Sequence, residues 1–157
     1  MKIIFLYVSI AIAAGLLTTN IYNSLIDASS WGSNMPVSIQ TAREYFKTVN
    51  PGNFFRIISP ANQLFALIVL VLFWKASPAI RLMLGIAFLL YVLSDVMTLA
   101  YFYPRNEIMF KSPLSNVGNL RKAFAEWNAM NWVRSSICFV GLVFSFLSLH
   151  KITIAAN

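Results

Sequence analysis

Reactive side chains are scarce in this chain. Its 157 residues include a single cysteine, Cys138, and a single histidine, His150. One cysteine excludes an internal disulfide and a CxxC metal site. With one histidine and no cluster of carboxylates, neither a histidine-rich metal site nor a Cys–His dyad can be assembled, and no glycine-rich phosphate loop is present. No haem, zinc or other cofactor is expected. Charge is scarce too: 11% of the residues are charged and five are acidic, against about 25% charged in an ordinary soluble domain. The net charge of +7 comes from twelve Lys and Arg scattered singly or in pairs. That dispersion is what membrane-flanking charge looks like, and a nucleic-acid partner, which needs a basic stripe, is not expected. Internal repeats and low-complexity tracts are also missing.

What the chain does have is apolar length. Hydrophobic residues make up 59%, with a mean hydropathy of +0.70. Crossing about 30 Å of hydrocarbon takes roughly 20 residues of helix, so the length accommodates about four spans and their connections. The expected fold class is all-α, an integral membrane four-helix bundle with up-down-up-down topology, forming one domain over residues 1–157 with spans near 3–27, 53–74, 79–103 and 127–149. The first run, from Ile3 to Ile26, could act as a secretory signal, with Lys2 ahead of it and Ala13-Ala14-Gly15 as a small-residue cleavage site. Its apolar character continues past that point, which favours a retained first span.

Turn chemistry at Ser29, Ser30, Gly32, Ser33, Asn34 and Pro36 predicts an end to helix 1. Residues 37–50 then carry Arg43, Glu44 and Lys47 beside Ile39, Tyr45 and Phe46, a pattern that suits a short interfacial helix. The Lys75–Arg81 loop contains Pro78 at a helix start, so the second and third spans should form an antiparallel hairpin. Helix 3 is expected to stop at Tyr101-Phe102-Tyr103 before Pro104, and residues 104–118 to form the second long connection. Four spans put both termini on one side. Placement in a bacterial inner membrane, with the termini in the cytoplasm, is the corresponding expectation; positive-inside counting gives it little help.

The polar residues are distributed unevenly along these spans. Helix 1 places Asn20, Asn23 and Asp27 on one face, and helix 2 places Arg56, Ser59 and Gln63 at the same spacing. Tyr91, Asp95, Thr98 and Phe102 form a stripe on helix 3, and Trp127, Asn131, Arg134 and Cys138 one on helix 4. In an up-down-up-down bundle all four stripes meet at the long-loop end. Arg134 is the only charged residue between Glu126 and Lys151. An ionisable group in such a segment costs roughly 2.5 to 3.5 kcal/mol on insertion scales unless it faces a bundle interior or a wet cavity. A small hydrophobic ligand is thus expected in a polar pocket there, with Asn20, Asn23, Arg56, Gln63, Trp127 and Tyr103 as its binding residues. Duller readings stand beside this one: the serines and threonines as interhelical glue, the tyrosines and tryptophans as interface anchors, and Asp95 with Arg134 as a plain buried ion pair.

The segment Tyr103-Pro104-Arg105-Asn106, followed after a spacer by Trp127-Asn128-Ala129-Met130-Asn131-Trp132-Val133-Arg134, resembles the small four-helix membrane family that includes fungal anthrone oxygenases. Its members are similar in carrying an Asn after a Pro near the end of the third span. A Trp follows, then a His or Asn four positions later and an Arg three beyond that. Asn131 stands where some members have His, so an imidazole-based proton transfer does not carry over. The resemblance implies a cofactor-free oxygenase acting on a lipophilic, phenol-like carbon acid. Arg134 would then hold the developing oxyanion with Asn106 and Asn131 as additional donors, and Asp95 would be the base, with Glu126 or Asp27 as substitutes. Two non-enzymatic readings remain alongside: a lipid- or quinone-binding membrane protein, and a homo-oligomeric or accessory subunit of a larger membrane complex. A transporter fits poorly, because the apolar half offers no polar path across the bilayer.

Overall fold

The structure, a computed structural model, describes residues 2–156, and among these there are five helices and no strand. They are α1 (Lys2–Gly32), α2 (Val37–Tyr45), α3 (Pro51–Leu72), α4 (Pro78–Phe110) and α5 (Val117–Ala156). The four long helices are each apolar and long enough to cross a membrane. Proline opens both α3 and α4, where its fixed φ suits the first turn and its missing N–H would have no partner anyway. α1 packs against α3 and α5, and α4 packs against the same two. Chain neighbours are therefore spatial neighbours, giving the four-helix up-and-down bundle the apolar pattern predicts.

Two of the helices run past the stops expected of them, each by way of a π-helical turn. In α1 the turn is Asn23–Asp27, after which the chain stays helical through Ser29 and Ser30 to Gly32. Burial of Ala28 and Trp31 on the extension outweighs the local preference of serine for turns. In α4 the turn is Thr98–Phe102, and the helix then continues across Pro104 to Phe110. A π turn already relaxes the i→i−4 ladder, so the donor that proline lacks is lost where the ladder is loosest. The Arg105 side chain also supplies a donor there, Nη1 reaching the Tyr101 carbonyl at 3.0 Å. Residues 104–110, nearly half of the connection expected over residues 104–118, are thus a continuation of α4.

α2 does more than lie on an interface. Ile39 is fully buried and Ala42 nearly so, and Arg43 reaches across to the C-terminal end of α4. Its Nε donates to the Met109 carbonyl at 2.9 Å, and its Nη2 to the carbonyls of Met109 and Ser112, both at 2.7 Å. These carbonyls sit where a helix leaves acceptors unpaired, and the guanidinium caps them.

The interior has three levels. One end holds an aliphatic core built around Leu6, Ile10, Val69, Leu84 and Leu142, with Tyr91 at its inner edge. The other end holds an aromatic core of Trp31, Phe102, Met109 and Trp127 with Ile39 from α2. Between them lies a layer of buried polar residues: Asn20, Asn23, Ser24, Asn62, Ser94, Asn131, Arg134 and Ser135. The expected polar half of the bundle is this middle layer, and the aromatic core closes it on the long-loop side.

Candidate functional site

Arg134 is 5% exposed and is held from three directions. Its Nη2 donates to Asn131 Oδ1 at 2.5 Å, one turn earlier on the same helix. Nη1 donates to Thr98 Oγ1 at 3.2 Å, at the start of the π turn in α4. The guanidinium carbon sits 4.2 Å from the centroid of the Phe102 ring and 5.5 Å from that of Phe55, a desolvated cation–π arrangement that contributes about 2 kcal/mol. Both π turns therefore border the site, as π turns often do.

Asn131 in turn is committed to positioning. Its Nδ2 donates to the Asn20 carbonyl at 2.9 Å and to Ser24 Oγ at 2.6 Å, so both ends of its amide are used within the protein. A second chain of contacts runs alongside, from Asn20 Nδ2 to Cys138 Sγ at 3.9 Å and from that thiol to Ser94 Oγ at 3.3 Å. Gln63 Nε2 donates to Asp95 Oδ2 across the α3–α4 interface.

The plain ion pair between Asp95 and Arg134 is not formed. Among the described residues the salt bridges are Arg105–Glu126 at 2.8 Å and Lys111–Glu107 at 2.9 Å, both near the long-loop end. Asp95 is instead engaged by Gln63, and Arg134 by neutral partners and rings. A cation buried in a membrane bundle without a carboxylate against it is costly, and this one still has a donor to spare. Arg134 Nε has no hydrogen-bond partner in the protein, nor do Asn20 Oδ1 and Asn62 Oδ1. Each buried polar atom left so costs roughly 1 to 3 kcal/mol.

Asn20, Asn62 and Arg134 all line one small cavity of about 10 Å³, with Ser94, Asp95 and Thr98 completing its polar wall. About 10 to 15 Å³ is the room needed by a single water-sized atom group. The α3 wall is the thinnest: Phe55 and Ser59 are only half-buried, no residue from Pro51 to Ala61 is fully buried, and the helix carries Pro60 in that stretch. The site therefore opens between the first half of α3 and the second half of α4.

The other residues singled out by spacing fall into distinct places. Gln63 is hydrogen-bonded to Asp95 and does not itself line the cavity. Asn23 is buried in the π turn of α1, and Trp127 belongs to the aromatic core, its ring 5.3 Å from Trp31 and 5.7 Å from Phe102. Arg56 and Tyr103 are exposed and Asn106 is half-buried; none of these three lines the cavity. Ser24, Phe55, Asn62 and Ser94 are residues of the site that the helical stripes did not single out. Asn62 had a signal, since it falls in register with Ala66 and Val69, the buried face of α3, whereas Gln63 lies on the adjacent, half-buried face.

Fold and site together define a multi-pass helical membrane protein with a buried cationic centre between two hydrophobic cores. A protein-family model described as Anthrone oxygenase matches residues 53–144, more than half of the chain. The chain belongs to the anthrone oxygenase family. The matched stretch contains Asn62, Asp95, Thr98 and Arg134, while Asn20 and Ser24 lie outside it on α1. No curated protein and no solved structure matches at a significant level.

Proposed function

We propose that this protein binds a lipophilic phenol- or quinone-like molecule with one of its oxygens against Arg134, and that it oxygenates a carbon acid of this class without a resident cofactor. The observation that carries the reading is the spare donor: Arg134 Nε is buried, unpartnered, and on the wall of a cavity beside a carboxylate. An oriented charge with no carboxylate in direct salt-bridge contact is suited to stabilise negative charge developing on a ligand oxygen.

In the reaction proposed, Asp95 at the cavity edge takes the acidic proton of an anthrone-type substrate and leaves an enolate whose oxygen faces Arg134. The electron-rich ring carbon adds dioxygen, one proton returns, and a carbon hydroperoxide results. Loss of water from it yields the ketone, so a methylene and one O₂ become a carbonyl and one H₂O. Asn131 acts through Arg134 and is a positioning residue. Asn106, Arg56 and Tyr103 would contribute only from outside the cavity, along the path the ring system takes. The cavity accommodates a single oxygen, so the rings occupy the α3–α4 opening, where Phe55 supplies an apolar surface.

Anthrone supplied to purified protein in lipid nanodiscs under ¹⁸O₂ tests this. The expected product is the quinone with one labelled oxygen, formed faster than in empty nanodiscs. A rate equal to that of empty nanodiscs contradicts it, and binding of the quinone without turnover favours the non-catalytic ligand-binding reading.

A further inference from the structure

A second recess lies at the long-loop end, between the last turns of α4 and the first turns of α5. It encloses about 300 Å³ and is lined by Arg105 and Ile108 from α4 and by Asn119, Lys122, Ala123 and Glu126 from α5. One wall is fixed. Arg105 Nε donates to Glu126 Oε2 at 2.9 Å, Nη2 lies 2.8 Å from the same oxygen, and the guanidinium carbon stacks 3.4 Å from the centroid of the Tyr101 ring. The charges of Arg105 and Glu126 therefore match one another. Lys122 is exposed on the rim, and neither of the two salt bridges among the described residues involves it. The recess is left with one surplus positive charge, and the Asn119 amide lies one turn away on the same face of α5.

Depth decides which anion meets that charge. The 24 residues from Trp127 to His150 span about 36 Å as helix, enough to cross about 30 Å of hydrocarbon. Glu126 thus marks one boundary, and Lys122, one turn further out, lies in the headgroup layer. Exposed Tyr103, next to Pro104 on the rim, stands where an interface aromatic belongs. From Lys122 the same stripe of α5 runs inward through Glu126 to Ala129, Val133 and Val140, all three exposed on the outside of the bundle, so an alkyl chain tethered at Lys122 has apolar surface to follow. A free anion would gain from the charge and nothing from the stripe. A zwitterionic headgroup gains less than an anionic one, because Arg105 already matches the one carboxylate in the recess. We propose that the recess binds the phosphodiester of an anionic glycerophospholipid, with Lys122 and Asn119 as its donors and the outer stripe of α5 as the seat of an acyl chain. Basic pockets between membrane helices hold headgroups in this way. Twelve residues of α5, about 18 Å, separate Lys122 from Arg134, so the proposal stands apart from whatever the inner cavity binds.

The test is native mass spectrometry of the full-length protein in mild detergent, titrated with phosphatidylglycerol and with phosphatidylcholine of the same acyl chains. The wild type is expected to take up one phosphatidylglycerol about fivefold more tightly than phosphatidylcholine, the preference that a single well-placed basic residue confers near a membrane surface. Lys122→Gln should bring the ratio close to one with the melting temperature unchanged, and Lys122→Arg should keep the preference. Lys75→Gln removes a flanking charge at the opposite end of the bundle and should leave the ratio as it is. Equal affinities in the wild type, a preference retained in Lys122→Gln, or an equal loss in Lys75→Gln would overturn the proposal. Millimolar inorganic phosphate is expected to leave the lipid bound; its displacement would make this a site for free phosphate and overturn the lipid assignment.

Discussion

The aliphatic core and the polar layer next to it are built on the same four helices, yet they solve opposite problems. In the aliphatic core, Leu6, Val69, Leu84 and Leu142 fill space, and buried hydroxyls beside them are paired within the protein, Tyr91 Oη with Ser145 at 3.1 Å and Ser148 Oγ with the Phe144 carbonyl at 2.8 Å. One turn further along, the layer around Arg134 leaves three buried polar atoms without partners. A membrane bundle gains little from burying polar groups, so a fold optimised only for packing would have continued the aliphatic pattern. The difference separates what holds the helices together from what the helices hold.

The comparison can be broken most sharply at Arg134. Arg134→Gln keeps a donor for Asn131 but removes the charge, and anthrone turnover should fall by about 10² to 10³, the usual cost of losing an oriented charge donor. The melting temperature should hold or rise, since an unpaired buried cation is relieved. Asn131→Leu is next. It strands Arg134 Nη2, Ser24 and the Asn20 carbonyl together, so both stability, by about 2 to 3 kcal/mol, and turnover should fall, as read by thermal melting and by product formation.

On the packing side, Leu84→Ala should cost about 2 kcal/mol or somewhat more through lost contacts while leaving anthrone turnover unchanged. Gly141→Ala has a smaller effect of mixed character. An added Cβ would lie 2.8 Å from Tyr91 Cε1, so the ring must shift, at about 1 to 3 kcal/mol. Because Tyr91 borders the cavity, this variant should alter stability and ligand affinity together, unlike Leu84→Ala.

The stripes of Asn20, Asp95, Asn131 and Arg134 were visible in the sequence because helical spacing and apolar surroundings leave few other roles for them. The bundle followed from the same periodicity. The places where the helices end did not, because serine and proline were weighed by local preference, whereas tertiary burial of Ala28 and Trp31 and two π turns carry α1 and α4 onward. Those π turns leave no mark in composition, yet the one in α1 carries Ser24, which meets Asn131 and which helical spacing did not single out. The second core was hidden for a related reason: Trp127 and Phe102 look like interface aromatics until α2 is folded over them. The failure of Asp95 and Arg134 to pair was equally illegible, since it depends on Gln63 reaching the carboxylate first.

The most direct measurement is the rate of quinone formation from anthrone by wild type and Arg134→Gln in nanodiscs, each checked for an unchanged melting transition. The account predicts a wild-type rate well above the background and a variant rate near it. Equal rates in two equally folded proteins would contradict it.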